Sequence, residues 1–419
     1  MKLPLPFRHL AWSNLMAQSA EQISLAAVPL VAVLALGAGP AETGLLAAAQ
    51  TLPFLLLSLP AGLLADRHSR RLLLVLGETL RVLSLLVLIG LTASGLLSIA
   101  GLAVLGFLGA TGTVVYSVAA PALLPSLVAR QQLGLANGRL ELARSVAYAG
   151  GPALAGALVA WSGASPAFVA AALLSGVAVW LLRRLPEQTL AVRAPRHPAR
   201  ELIDGAGFVW SHRLLRPILL TTVAWNLAWF VLQAGYVVYA VRHLSLNAGQ
   251  VGATLAAYGM GMVAGALAAP RLIAVVRFGT ALLIGPLVSV AASAGMAATL
   301  LAPPGLRAGL LAGLSLFLFG VGPIIWTITQ MTLRQTVTPG AMLGRVSALF
   351  MTVSMGARPL GALLGGLVGA LYGLPACILL AALGFVAQAV VILWSAVPAL
   401  ARLPAIDDTD AGRPAAAPA

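Results

Sequence analysis

Two ionisable side chains lie deep inside apolar stretches of this 419-residue chain. Glu21 lies about 15 Å into the first of these stretches if it is an α-helix, which rises about 1.5 Å per residue. Arg358 has a similar depth in a stretch near the C-terminus. A charge inside a bilayer costs about 2.5 to 3.5 kcal/mol, so functional roles are expected at such positions. Because no Asp or Glu occurs between Asp204 and Asp407, Glu21 is the leading candidate for a carboxyl group that takes up and releases a proton.

The residues around Glu21 allow a second interpretation, in which the carboxylate is structural. Gln18, Gln22 or Arg358 could hold it in place, and the sequence leaves both roles open. Asn14, Gln18, Glu21 and Gln22 recur at helical spacing and form a polar stripe. Such a stripe must face protein or water and not lipid.

The composition is that of a membrane protein. Hydrophobic residues make up 60% of the chain, charged residues only 9%, and the mean hydropathy is +0.99, whereas soluble domains carry about 25% charged residues. The net charge of +14 does not require a nucleic-acid partner, because the basic residues are concentrated on one side of the predicted spans. The exceptions are Arg242 and Arg307 in outer turns and Arg81, Arg144 and Arg358 within spans.

The apolar stretches predict an all-α polytopic membrane protein with twelve transmembrane helices in two pseudo-symmetric bundles of six. The predicted spans are 11–36, 43–65, 71–92, 98–121, 135–160, 165–184, 216–241, 248–272, 278–301, 308–333, 345–371 and 374–397. The predicted units are an N-terminal bundle (1–184), a basic cytoplasmic linker (185–215) with an amphipathic helix at 199–212, a C-terminal bundle (216–400) and a disordered cytoplasmic tail (401–419).

A charged turn separates the second and third spans and reads Gly-Leu-Leu-Ala-Asp-Arg-His-Ser-Arg-Arg from Gly62 to Arg71. Gly62 would allow close approach of a neighbouring helix, and Asp66 could cap a helix N-terminus. The turn resembles the signature loop G-x-L-a-D-R-x-G-R-R of the major facilitator superfamily, although Ser69 replaces its second glycine. The matching residues are Gly62, Asp66, Arg67, Arg70 and Arg71.

A Gly-Pro element in the fifth span is echoed in the eleventh. Gly151, Pro152 and Gly156 lie in the first copy, and the segment 356–363 forms the second. Proline kinks a helix and glycine allows close contact, so ordinary packing also explains this element. Together with the segment 121–137, it resembles the bacterial exporter branch of the superfamily, which includes macrolide and enterobactin efflux proteins. The Gly-Pro element is also similar to the motif that antiporters of the superfamily carry in their fifth helix. The fourth span lacks the arginine of many proton-coupled antiporters, which leaves the coupling mechanism open.

The resemblance implies a central cavity lined by spans 1, 4, 7 and 10. Large rings with a few amides and one carboxylate suit an amphiphilic or aromatic substrate, although aromatic residues near span ends also serve as interface anchors. The candidate cavity residues are Asn14, Gln18, Gln22, Tyr116, Trp225, Asn226, Trp229, Gln233, Tyr236, Trp326, Gln330 and Arg358.

Two charged pairs have the three-residue spacing of one helix face. Glu78 with Arg81 and Glu141 with Arg144 are interpreted as structural ion pairs. With Arg345 and the signature turn, they could form a latch between the two halves on the inner side. In that hypothesis an Asp66→Asn substitution slows the conformational cycle without weakening substrate affinity.

Several function classes lack the motifs they need. No phosphate-binding loop and no metal-ligand spacing occurs, so no cofactor is expected. A membrane enzyme would need paired polar groups within spans, and only Glu21 and Arg358 are available. The resemblance to the exporter branch therefore implies a monomeric secondary transporter in the bacterial inner membrane, with both termini cytoplasmic. It would export an amphiphilic or aromatic small molecule, a drug or a siderophore, in exchange for protons. An importer or uniporter, or a non-transporting receptor or scaffold, is the alternative.

Overall fold

The computed structural model describes residues 3–129, 132–186, 198–339 and 342–404. These residues form α-helices and one short 3₁₀ helix, with no strand among them. The helices are α1 (Leu5–Ala35), α2 (Pro40–Arg67), α3 (Arg70–Ala93), α4 (Ile99–Leu123), α5 (Leu133–Ser162), α6 (Ala164–Arg183), α7 (Pro198–Ser211), α8 (Leu215–Arg242), α9 (Ala248–Val275), α10 (Phe278–Ala298), α11 (Leu306–Val337), α12 (Leu343–Tyr372) and α13 (Leu374–Leu393).

Eleven of the described helices are long and apolar enough to cross a membrane. The twelfth long helix, α5, has 30 residues but carries Arg139, Glu141 and Arg144 in its first half. Helix α7 is short, at 14 residues, and lies where the sequence predicts an amphipathic interface helix. A helix satisfies its backbone hydrogen bonds within itself, which is why helices can cross lipid.

The long helices form two bundles with the same internal packing. In the first, α1 packs on α5 and α6, α2 on α4, and α3 on α4 and α6. In the second, α8 packs on α12 and α13, α9 on α11, and α10 on α11 and α13. Each contact of the first bundle thus has a counterpart seven helices later, because α7 intervenes. The two bundles are pseudo-symmetric.

Glycines bring the two bundles into backbone contact at two places. Helix α2 meets α12, where a Cβ atom added at Gly44 would lie 2.5 Å from the Cα of Gly366. Helix α5 meets α9, where a Cβ added at Gly156 would lie 2.7 Å from the Cα of Gly252. Small residues allow such approach in membranes, where packing and not water exclusion holds helices together.

The hydrophobic clusters distinguish the two ends of the molecule. We call the end where α1 begins and α13 ends the terminal side, and the other end the opposite side. The largest cluster includes Leu30 of α1 and Val238 of α8, so it joins both bundles toward the opposite side. Toward the terminal side, the described residues form separate clusters, one around Phe7 in the first bundle and one around Phe350 in the second.

The signature turn connects α2 to α3 on the terminal side. Ser69 caps α3 by accepting a hydrogen bond from the Leu72 amide at 3.3 Å. Arg70 donates to the Ala122 carbonyl at the end of α4, at 2.9 Å, and Arg71 donates to the Arg183 carbonyl at the end of α6, at 2.6 Å. Cations are favourable at helix C-termini, so these arginines tie three helices together.

The expectation for Gly62 is wrong in this conformation. A Cβ atom added there would meet no described residue within 4 Å, so none of the described helices approaches it closely. The side chains of Asp66 and Arg67 lie outside the described part of the structure, as do residues 187–197 of the predicted linker and 405–419 of the predicted tail. The expectations for them remain predictions.

We expect Gly156→Val to destabilise the protein by about 1–3 kcal/mol, the usual cost of overpacking, because its side chain would collide with the backbone of α9. A lower thermal unfolding temperature in detergent would show this. Gly176→Val is the matched control, since a Cβ added at Gly176 meets nothing within 4 Å. Equal unfolding temperatures for the two variants would contradict the close α5–α9 contact.

Candidate functional site

A cavity of about 410 Å³ lies between the two bundles, midway along the long helices. Residues from α1 to α5 line it on one side, and residues from α8, α9, α11 and α12 line it on the other. The predicted site residues that line it are Gln18, Glu21, Gln22, Pro152, Trp225, Asn226, Trp229, Gln233, Tyr236 and Arg358.

Four candidate cavity residues lie elsewhere. Asn14 donates to the Leu140 carbonyl at 3.1 Å and so links α1 to α5. Tyr116 is buried with its hydroxyl 3.3 Å from that of Ser13. Trp326 and Gln330 are buried in the terminal half of α11. Spacing places a residue on a helix face but does not fix its depth, and these four lie on the terminal side of the cavity.

The helices that meet at the bundle interface supply cavity residues that the sequence analysis did not select. They include Phe54 of α2, Tyr148 of α5, Tyr258 of α9 and Met355 of α12. Arg81 and Arg144, which were interpreted as members of structural pairs, also line the cavity. The Gly-Pro element is the sequence feature that could have indicated α5 as a cavity-lining helix, because Pro152 itself faces the cavity.

Stacked aromatic rings form one wall of the cavity. The rings of Trp225 and Trp229 are nearly parallel, at 11°, with centroids 5.5 Å apart. Trp229 also stacks on Tyr258, with centroids 4.8 Å apart. The Trp225 indole nitrogen donates to the Ser289 hydroxyl at 3.2 Å, which fixes the ring. This rigid wall offers flat apolar surface to an aromatic ligand.

Glu21 faces the cavity without a direct partner. Among the described residues it makes no hydrogen bond and no ion pair, so neither Gln18, Gln22 nor Arg358 holds its carboxylate. The charged side chains that act on Glu21 are, in order of decreasing effect, Arg81, Glu78, Arg144 and Arg358.

Arg81 contacts residues of three helices. Its guanidinium forms a buried ion pair with Glu78 at 2.8 Å and donates to the Ala17 carbonyl of α1 at 3.0 Å. It also hydrogen-bonds the Thr113 hydroxyl of α4. The predicted pair is therefore present, and Arg81 links α3 to both α1 and α4 at the wall of the cavity.

The other predicted pair, Glu141 with Arg144, has a separation of 2.8 Å and is partly exposed. Arg345, the proposed latch residue, pairs with Asp204 of α7 at 3.2 Å, and not with a described residue of the first bundle. Helix α7 approaches the start of α12 closely here, since a Cβ added at Gly205 would lie 2.8 Å from the Arg345 carbonyl oxygen.

An arginine side chain bridges the two bundles on the opposite side of the molecule. Arg242, at the end of α8, donates to the carbonyls of Gly37 and Ala38, both at 2.8 Å. Those carbonyls follow the C-terminus of α1, where the helix dipole favours a positive charge. Gly37 adopts a φ of +67°, a conformation that suits glycine and turns the chain beside Arg242. One side chain thus joins the two bundles on this side.

The family model of the Major Facilitator Superfamily matches residues 10–362. The chain belongs to this superfamily. Its members are membrane transporters and not enzymes, so this is a multi-pass transport protein, as predicted. The enterobactin exporter EntS of Citrobacter koseri is 30% identical over 312 residues, which cover 73% of this chain and 72% of that protein.

Solved structures show the same fold. The nucleoside transporter NupG has a TM-score of 0.72 at 13% identity, and the match covers 96% of this chain and 99% of that one. A bacterial homologue of the iron transporter ferroportin in its inward-facing state has a TM-score of 0.74 at 17% identity, and this match covers 94% of this chain and 99% of that one. The predicted fold of twelve transmembrane helices in two pseudo-symmetric bundles is confirmed.

We expect Arg242→Gln to loosen the opposite side, because the neutral amide loses the charge-assisted bonds to α1. Spin labels at Leu96→Cys and Leu306→Cys, two exposed positions on that side, report the separation of the bundles in a Cys377→Ala background. A second, longer distance population should appear in the Arg242→Gln variant. Arg307→Gln is the control. We call the contacts of Arg242 with the Gly37 and Ala38 carbonyls the Arg242 clamp, and identical distance distributions for both variants would contradict its role.

Proposed function

We propose that this protein is a secondary active exporter that moves amphiphilic or aromatic small molecules, drugs or siderophores, out of a bacterial cell in exchange for protons. The observation that carries the proposal is the carboxyl of Glu21, which has no direct partner among the described residues and faces a cavity between two pseudo-symmetric bundles. The relationship to enterobactin exporters supports export and a siderophore as substrate class.

The charge distribution supports an inner-membrane orientation with both termini in the cytoplasm. Arg70 and Arg71 lie on the terminal side, as do Arg183 and Arg184 at the end of α6. Cytoplasmic loops of membrane proteins carry an excess of such residues. The terminal side is then the cytoplasmic side.

The proposed units keep the bounds 1–184, 185–215, 216–400 and 401–419. The proposed transporter works as a monomer.

The packing supports alternating access around the cavity. The two bundles share a hydrophobic cluster and the Arg242 clamp on the opposite side, and the described residues form separate clusters on the terminal side. This arrangement is suited to loading from the cytoplasm. Rocking about the glycine contacts of α2 with α12 and of α5 with α9 would open the opposite side, as parallel-repeat transporters do.

Proton exchange is assigned to Glu21 because it can change its charge without breaking an existing ion pair. The charged groups that act on it are Arg81, Glu78, Arg144 and Arg358, and Glu21 also interacts electrostatically with the Tyr148 hydroxyl. When ionised, Glu21 offsets part of the positive charge of the three arginines, and when protonated, it leaves the cavity more positive. The protonation state of one carboxyl therefore sets the charge that a substrate meets.

We expect Glu21→Gln to abolish proton-driven transport, because the amide cannot release a proton. In proteoliposomes with an imposed pH gradient, substrate flux in the variant should fall to the level of protein-free liposomes, while binding persists. Glu42→Gln is the matched control, since Glu42 caps the exposed start of α2. Wild-type flux in Glu21→Gln under the same gradient would refute the assignment.

A further inference from the structure

Three arginines reach the cavity from three different helices, and their charges are compensated unequally. Arg81 of α3 is paired with Glu78, and Arg144 of α5 is paired with Glu141, each at 2.8 Å. Arg358 of α12 has no carboxylate within ion-pair distance among the described residues. Within that part of the chain, the cavity therefore contains a guanidinium whose charge is not matched by a neighbour.

The immediate surroundings of Arg358 hold the guanidinium in place without neutralising it. Its Nε donates to the Asn226 side-chain oxygen at 3.3 Å, across to α8. Its charged carbon lies 5.5 Å from the ring centroid of Phe230 and 5.9 Å from that of Phe54. These rings belong to different bundles. The terminal nitrogens of the guanidinium make no hydrogen bond to the described residues and remain available to a ligand.

We propose that Arg358 binds the oxyanion of aromatic carboxylate substrates, whose rings pack on the Trp225, Trp229 and Tyr258 wall. A guanidinium presents its donors in a planar fork that matches a carboxylate, and such charge-assisted bonds are strong in a site with little water. Arg358, Asn226 and the aromatic wall all line the same cavity. This inference rests on the proposed function and narrows its substrate class to anions.

The proposal also explains why Glu21 and the substrate would alternate. Both are anions, and both interact with the same positive charge, since Arg358 contributes to the field at Glu21. A bound carboxylate therefore favours protonated Glu21, and release of the carboxylate favours ionised Glu21. The only covalent bond that changes is the O–H bond of the Glu21 carboxyl, which forms when the carboxylate takes up a proton and breaks when it releases one.

The test measures binding of three probes of equal ring size to the purified protein in lipid nanodiscs. The probes are 1-naphthoate, neutral 1-naphthamide and cationic 1-naphthylmethylamine. Their binding is measured by isothermal titration calorimetry, without a proton gradient. The wild-type protein should bind 1-naphthoate about tenfold or more tightly than 1-naphthamide, because a hydrogen bond between two charged groups is stronger than one to a neutral amide. Equal affinities, or a preference for the amine, would overturn the proposal.

Variants assign the preference to one residue. In Arg358→Gln the preference for 1-naphthoate should disappear, whereas Arg271→Gln, which changes an exposed arginine outside the cavity, should retain it. In Arg358→Lys, which keeps the charge but loses the fork, 1-naphthoate should bind more weakly and still better than 1-naphthamide. This variant decides the matter if Arg358→Gln does not fold. An undiminished preference in Arg358→Gln, or an unchanged affinity in Arg358→Lys, would overturn the proposal.

The two proposals can fail separately. The binding test uses no gradient, so loss of proton-driven flux in the transport test does not affect it. Anion selectivity with no proton coupling would refute the proposed exchange and leave the Arg358 site intact. Proton-driven transport of neutral or cationic aromatic compounds, without binding of 1-naphthoate, would refute the Arg358 site and leave the exporter intact.

Discussion

A bilayer offers no hydrogen-bonding partners to a polypeptide, and this constraint determines most of the structure. Every backbone amide and carbonyl that crosses the membrane must be satisfied by the chain itself, so the spans are helices. Charged side chains are subject to the same constraint. Glu78 and Arg81 meet it by pairing at 2.8 Å, and Arg81 adds bonds to α1 and α4. Glu21 and Arg358, which form no ion pair with a described residue, face the cavity.

The same constraint explains how the bundles meet. Lipid tails are as apolar as leucine, so helices gain little by hiding hydrophobic surface and must instead approach closely. Gly44 with Gly366, and Gly156 with Gly252, allow this at the two symmetric contacts between the bundles. The Arg242 clamp and the shared hydrophobic cluster hold the bundles together on the opposite side.

The cavity combines a rigid aromatic wall with the guanidinium of Arg358, which has no carboxylate within ion-pair distance among the described residues. Stacking fixes Trp225, Trp229 and Tyr258, whereas the described contacts of Arg358 are those with Asn226 and with two ring faces. A ligand that is flat and anionic would use both features. In the mechanism that we propose, proton exchange at Glu21 and ligand binding at Arg358 are linked through the same electrostatic field, so the coupling does not require contact between the two side chains.

The sequence by itself determined the membrane class, the helical architecture and the two related halves, because hydrophobic length and the signature turn are local properties. It also identified Glu21 and Arg358, since a charge inside an apolar stretch is visible without a structure. Only the tertiary structure decided depth and partnership. Four residues that share helices with cavity residues lie instead on the terminal side of the cavity, namely Asn14, Tyr116, Trp326 and Gln330. Arg81 and Arg144 line the cavity, although their spacing from Glu78 and Glu141 indicates purely structural ion pairs. Helical spacing fixes the direction of a side chain, but packing against other helices decides what it meets.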